Sequence, residues 1–176
     1  IFIGSEDGNY SSNIKILGGW IDNVRRNGIS LTSGKNIIIK DLLISNTNGT
    51  LPSCGIDIEP SIYDDIIENI SIVNLYTFNN EVSGVAINLN ALTSQIEKKR
   101  KFVSIEFSNH TDKQSAYALS TSLNIGLKGY DADGTIIFKD SRWFQSRSGS
   151  YWRSSSDQKL KMNFKNIKSD DYNLQN

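Results

Sequence analysis

Hydrophobic and polar residues alternate in short runs that recur along the whole chain. Ile14/Ile16, Ile37/Ile39, Ile70/Ile72, Val103/Ile105, Ile136/Phe138 and Leu160/Met162 each have the period of two expected of a strand with one buried face. Their starts lie 23, 33, 33, 33 and 24 residues apart. A second alternating run follows each of the first five, at Ile29/Leu31, Ile56/Ile58, Val85/Ile87, Tyr117/Leu119 and Tyr151/Arg153, with offsets of 15, 19, 15, 14 and 15. Gly28, Gly55 and Gly84 stand directly before three of these second strands, where a tight bend favours a residue without Cβ. Asn13, Asn36 and Asn69 stand directly before three of the first strands and predict stacked amide ladders.

Two short strands per repeat, with no helical stretch between them, predict an all-β chain wound as a right-handed parallel β-helix, a single-stranded solenoid of about five to six coils of 23–33 residues. The distance from each second strand to the next first strand varies as 8, 14, 18, 19 and 9 residues, so the variable loops fall on one side of the stack. A short helix fits one of them, between Asn90 and Lys101. A β-sandwich would also use short strands, but it does not require the recurring 33-residue interval. The repeat makes residues 1–176 one domain, with less regular coils over 126–176, where Tyr130 to Thr135 reads as a turn feeding the Ile136 strand. Neither end carries a polar cap, which predicts that the chain is part of a longer one.

Composition narrows the partners. The 176 residues carry 19 basic and 19 acidic side chains, so no net field attracts a nucleic acid or an anionic membrane. No apolar run approaches the roughly 18 residues of a membrane span, and no membrane insertion is expected. A single cysteine, Cys54, and a single histidine, His110, exclude a disulfide framework and a Cys/His metal site, and both read as structural residues. The Asn-x-Ser/Thr triplets at Asn9, Asn48, Asn69 and Asn109 carry no weight in a chain so rich in these residues.

If the Ile positions point inward, the residues between them form outward files from coil to coil. The first file then reads Ser30, Asp57, Ala86, Ala118, Trp152 and the second Thr32, Glu59, Asn88, Ser120, Ser154. Only the Asp57 coil places an acid in both. Asp57 and Glu59 therefore share an exposed strand face, with Cα atoms roughly 6.5–7 Å apart and small neighbours around them. Two carboxyl groups about 6.5–9.5 Å apart can hydrolyse a glycosidic bond with inversion, one protonating the leaving oxygen and one activating water. Pro60 ends this strand directly after Glu59. Generic surface acids are the plain alternative. Asp22, Arg25 and Arg26, just before the neighbouring coil's strand, are candidate substrate contacts, since a guanidinium can clamp an acidic sugar. Tyr63 could stack on a sugar ring and Asn88 could hydrogen-bond one. Asp64 and Asp65 are explained by a turn. A weaker alternative uses Asp57, Glu59, Asp64 and Asp65 to hold Ca²⁺, with Arg25 or Arg26 as the base of a β-elimination.

The stretches Gly18-Gly19-Trp20-Ile21-Asp22, Arg25-Arg26-Asn27-Gly28-Ile29, Ser33-Gly34-Lys35-Asn36-Ile37, Asn46-Thr47-Asn48-Gly49-Thr50 and Gly55-Ile56-Asp57-Ile58-Glu59-Pro60 resemble pectate-lyase-like β-helix proteins, and among them most closely the tailspike depolymerases of bacteriophages and prophages. The resemblance covers Asn13 to Leu92 and is only architectural afterwards. It implies a bacterial capsular or O-antigen polysaccharide as partner, an extracellular or virion-tail location, a homotrimer in the full-length protein, and acids placed as Asp57 and Glu59 are. The strand and arginine motifs of true pectate lyases are not recognisable, so hydrolysis without a cofactor ranks ahead of calcium-dependent elimination. A non-catalytic receptor-binding or structural segment of a tail fibre or surface adhesin is the remaining expectation.

Overall fold

The computed structural model describes residues 1–5, 9–92, 100–123, 132–154 and 160–170. Its strands are β1 (Phe2–Ile3), β2 (Ser11–Asp22), β3 (Ile29–Leu31), β4 (Gly34–Ser45), β5 (Cys54–Ile58), β6 (Ile67–Phe78) and β7 (Ser83–Asn88). They continue with β8 (Phe102–Lys113), β9 (Tyr117–Ser122), β10 (Asp133–Lys139), β11 (Arg142–Phe144), β12 (Gly149–Ser154), β13 (Leu160–Lys165) and β14 (Lys168–Ser169). Every ladder is parallel and joins one coil to the next. The first sheet runs β1-β3-β5-β7-β9-β12 and the second β13-β10-β8-β6-β4-β2, with β11 on β8 and β14 on β11. The chain is a right-handed parallel β-helix, the hand that twisted strands impose on parallel crossovers. The Asn90–Leu92 part of the predicted helical loop is a single 3₁₀ turn, and 93–99 lie outside the described residues.

Three stacked corners give the long strands their shape. Asn13, Asn36 and Asn69 take left-handed φ of 56°, 58° and 54°, and each amide donates to the one before, Asn36 Nδ2 to Asn13 Oδ1 at 3.1 Å and Asn69 Nδ2 to Asn36 Oδ1 at 2.8 Å. This is the predicted ladder. Two more were not anticipated. Asp41, Asn74 and Asn109 form one, and Asp22 with Asn46 and Asn79 the other. Asn and Asp tolerate the left-handed region better than other L-residues, and their side chains satisfy one another across coils. β2, β4, β6 and β8 are therefore 12-residue strands bent at single-residue corners rather than flat ribbons.

The register corrects the predicted spacing. β6 carries a bulge: Ile67 faces Val103 but Ile70 faces Ile105, so Glu68 and Asn69 together oppose Ser104. Ile136 then pairs with Ile105 and Met162, not with Val103 and Leu160. Equivalent residues are in fact 23, 33, 35, 31 and 26 apart. Each slip is by two residues, which preserves the inward face, so the predicted core survived the misalignment. The same slip moves Leu119, not Tyr117, beside Val85. The two files accordingly read Ser120 where Ala118 was expected and Ser122 where Ser120 was expected; Ala118 is buried.

The interior is aliphatic through the early coils, with Ile29, Leu31, Ile37, Ile39, Ile44, Ile56 and Ile58 almost fully buried. Later coils add a stacked aromatic file, Phe107 on Phe138 at 4.4 Å between centroids, continued at the surface by the exposed Phe164 at 6.0 Å from Phe138. Beside it runs a buried polar chain. Trp143 Nε1 donates to His110 Nδ1 (3.2 Å), leaving the imidazole proton on Nε2 to bond Thr77 Oγ1 (2.8 Å), which donates to Asp112 Oδ1 (2.6 Å). Burial pushes the His110 pKa down to about 3 and the Asp112 carboxyl up to about 7.

Gly28, Gly55 and Gly84 do form an equivalent file, but none has a positive φ. Their purpose is close approach: a Cβ on Gly55 would lie 2.5 Å from the Gly84 carbonyl oxygen, and one on Gly84 would strike Thr77 and Asp112. Gly55→Ala is expected to cost about 1–3 kcal/mol, the range for overpacking a filled core, and a thermal melt compared with wild type checks this.

Candidate functional site

The cleft at Asp57 and Glu59 is built where β5 ends. Asp57 stands in register between Ser30 and Ala86, and Glu59 extends the ladder one step by donating its backbone N–H to Leu31 O at 3.0 Å. Together with Phe2, Arg26, Ser30, Thr32, Pro60 and Ser61 they line a cleft of about 410 Å³. Small residues continue its floor along the solenoid axis, Ala86 and then Ser120, to an exposed Trp152. At ~4.8 Å per coil, Trp152 is about 14 Å from Asp57, and Phe2 stands at the other end of the same file.

Asp57 is not exposed as the strand pattern predicted; only 4% of it is accessible. The neighbouring coil covers it, with Asn27 Nδ2 donating to Asp57 Oδ2 at 2.9 Å and also to Ser30 Oγ at 3.0 Å. Asn27 is itself held, since its Oδ1 accepts the Cys54 N–H at 3.1 Å. Burial raises the Asp57 pKa from 3.8 to about 7, and the charge of Glu59 adds to the rise; Arg26 and the Asn27 hydrogen bond oppose it. Glu59 is half-buried and oriented by Asn88, whose Nδ2 donates to Glu59 Oε1 at 2.7 Å. The cleft therefore holds one carboxyl whose proton is released only around neutrality and a second one fixed by an amide.

The other predicted contacts divide. Arg26 lines the cleft, and Asn88, outside its lining, donates to Glu59. Arg25 points to the turn of the next coil, its Nε donating to Thr50 Oγ1 at 3.1 Å. Asp22 belongs to the third amide ladder; Ser45 and Asn46 donate to its Oδ1, which lowers its pKa. Neither lines the cleft. Tyr63 is half-buried under Lys101, whose Nζ lies 5.2 Å from the ring centroid. Asp65 is buried and caps a turn, its Oδ2 accepting the N–H groups of Ser61 and Ile62. Asp64 is exposed beside it. Among the described residues no group of three or more acidic, His or Cys side chains could hold a metal ion; Asp57 and Glu59 line the cleft, and Asp65 belongs to the turn after it. Ser30 and Thr32 stand beside Asp57 and Glu59 as the outward files placed them, while sequence reasoning missed Asn27 and Phe2.

Cys54 is buried with Sγ donating to Pro52 O at 3.0 Å and its thiol pushed up to about 12, which leaves no reactive thiolate. No helix of the described residues is long and apolar enough to cross a membrane. No protein-family model, no curated protein and no solved structure matches this chain.

Proposed function

We propose that this chain is a carbohydrate-active β-helix domain, similar to phage and prophage tailspike depolymerases, that binds a bacterial capsular or O-antigen polysaccharide outside the cell and hydrolyses it. The observation that carries this reading is the pairing, in one cleft, of a buried carboxyl whose pKa is raised to about 7 with a second carboxyl two residues along. Asp57 is the general acid and protonates the leaving glycosidic oxygen. Glu59, oriented by Asn88, takes a proton from the water that attacks the anomeric carbon. The C–O bond breaks as the new one forms, Asp57 ends ionised and Glu59 ends protonated. Arg26 holds a polar or acidic substituent of the substrate at the rim.

Incubation with capsular and lipopolysaccharide preparations tests this, read as a fall in chain length by size-exclusion chromatography. Cutting that survives a metal chelator supports hydrolysis; glycan binding with no shorter product in any preparation supports the adhesin or receptor-binding reading instead. The acid role of Asp57 predicts a rate that falls as pH rises through about 7, because only the protonated form can donate. Arg26 lowers that pKa, so Arg26→Ala should move the alkaline limb to higher pH, whereas Arg25→Ala should leave it in place. A limb unmoved by Arg26→Ala would remove Arg26 from the site.

A further inference from the structure

Between the second and third corners, each coil presents an outward face that the cleft does not use. Across it runs the registered file Trp20, Leu43, Tyr76, Thr111, Arg142 and Lys168. Beside that file Phe78, Lys113 and Phe144 align in the same way. Trp20 is 67% exposed, yet it is pinned: its indole N–H donates to Ser45 Oγ at 3.0 Å, and Ser45 Oγ donates to Asp22 Oδ1 at 2.6 Å. The ring is thus held over the neighbouring coil while remaining in water. Tyr76, also exposed, follows two coils on, about 10 Å away at ~4.8 Å per coil. Farther along, Arg142 and Lys168 line a second cleft of about 190 Å³ with Asn109, Ser141, Asn166 and the carboxylate Asp140, two cations against one acid. The acids of this face are engaged within the protein, Asp22 by Ser45 and Asn46, Asp140 by Asn166, and Asp170 by the Gln145 N–H.

We propose that this face binds an anionic polysaccharide lying along the solenoid axis, with sugar rings on Trp20 and Tyr76 and carboxylates against Arg142 and Lys168. Flat aromatic rings about two sugar units apart suit a glycan chain, and the cations beyond them complement its charge. A nucleic acid would need a cation for nearly every phosphate, and a chain of zero net charge offers little of that attraction. A second copy packed about an axis parallel to the solenoid would bring like charges together, Arg142 and Lys168 of each chain meeting at the same level. The inference stands apart from hydrolysis at Asp57: it concerns a different face and requires no bond cleavage.

Calorimetric titration with fragments of alginate, polygalacturonate and hyaluronate, and with neutral dextran of matched length, tests it. At least one carboxylated glycan should bind more tightly than dextran, and less tightly as salt is added. Trp20→Ala, and separately Arg142→Ala with Lys168→Ala, should each weaken it at least tenfold while the melting profile stays that of wild type. Asp57→Asn with Glu59→Gln should leave this binding intact, since those residues lie on another face. The proposal is overturned if none of the three carboxylated glycans binds, if their binding is lost in the Asp57/Glu59 variant and kept in the Trp20 variant, or if oligo-dT binds more tightly at these residues. It is equally overturned if wild type sediments as an oligomer that Trp20→Ala dissociates.

Discussion

Asp57→Asn combined with Glu59→Gln is expected to lower the rate of polysaccharide cleavage by about 10²–10⁴-fold, the usual contribution of positioned acid and base groups, while leaving glycan binding close to wild type. Each amide keeps roughly the shape of the acid it replaces, so Asn27 and Asn88 lose no space, but neither amide can give or take the proton. The single variants should separate the roles. Asp57→Asn should slow substrates with poor leaving groups most and abolish the alkaline limb near pH 7; Glu59→Gln should slow all substrates alike and be rescued in part by an added small anion such as azide. Initial rates on a fixed polysaccharide across pH distinguish these patterns. Cleavage at wild-type rate in the double variant would remove the pair from the mechanism.

The same burial that keeps Asp57 protonated should cost the fold stability. Asp57 and Asp112 both titrate near 7 in the folded chain against an ordinary 3.8, so the folded state holds protons that the unfolded chain releases between those values. Their contribution is complete below about pH 4 and is lost as pH rises towards 7. His110 acts in the opposite sense: its folded pKa of about 3 lies below the ordinary 6.5, so its stabilising effect is complete above 6.5 and is lost as pH falls. Two carboxyls outweigh one imidazole. The stability of wild type should therefore fall with rising pH between about 4 and 6.5, by at most ~1.4 kcal/mol per pH unit. Asp57→Asn should flatten that slope and, at pH 8, stabilise the chain by about 1–4 kcal/mol, less than the full shift because the cleft admits water. Denaturant midpoints at pH 5 and pH 8 for wild type and Asp57→Asn measure this. A variant less stable than wild type at pH 8 would contradict the burial account, whereas a stabilised but inactive one fits a site that trades stability for chemistry.

Much of the architecture was legible because solenoid coils repeat the same demand on the sequence. Ile37/Ile39 and Ile70/Ile72 announced their strands, and Asn36 and Asn69 announced a ladder that the structure contains. The other two corners were equally present, since left-handed residues recur every five positions at Asn36, Asp41 and Asn46 and again at Asn69, Asn74 and Asn79. They were missed because Gly18 and Gln114 fill some rungs and break the simple pattern. The register slip at β8 was not legible, because a bulge at Asn69 changes the count without changing which residues are apolar. For the site, alternation put Asp57 and Glu59 together and the structure keeps them together. It could not show that Asn27 and Arg26 from the coil above close over Asp57, since that depends on which loop residue reaches which neighbour. Arg25 and Arg26 are adjacent in sequence, yet Arg25 bonds Thr50 and only Arg26 lines the cleft.

Hydrolysis at this cleft is tested most directly by cleaving a susceptible capsular or O-antigen polysaccharide in oxygen-18 water and analysing the new chain ends by mass spectrometry. The account predicts oxygen-18 at each new reducing end, incorporation that persists in chelator, and its loss in the Asp57→Asn/Glu59→Gln variant. Unsaturated ends without label, or labelled ends formed undiminished by the double variant, would contradict it.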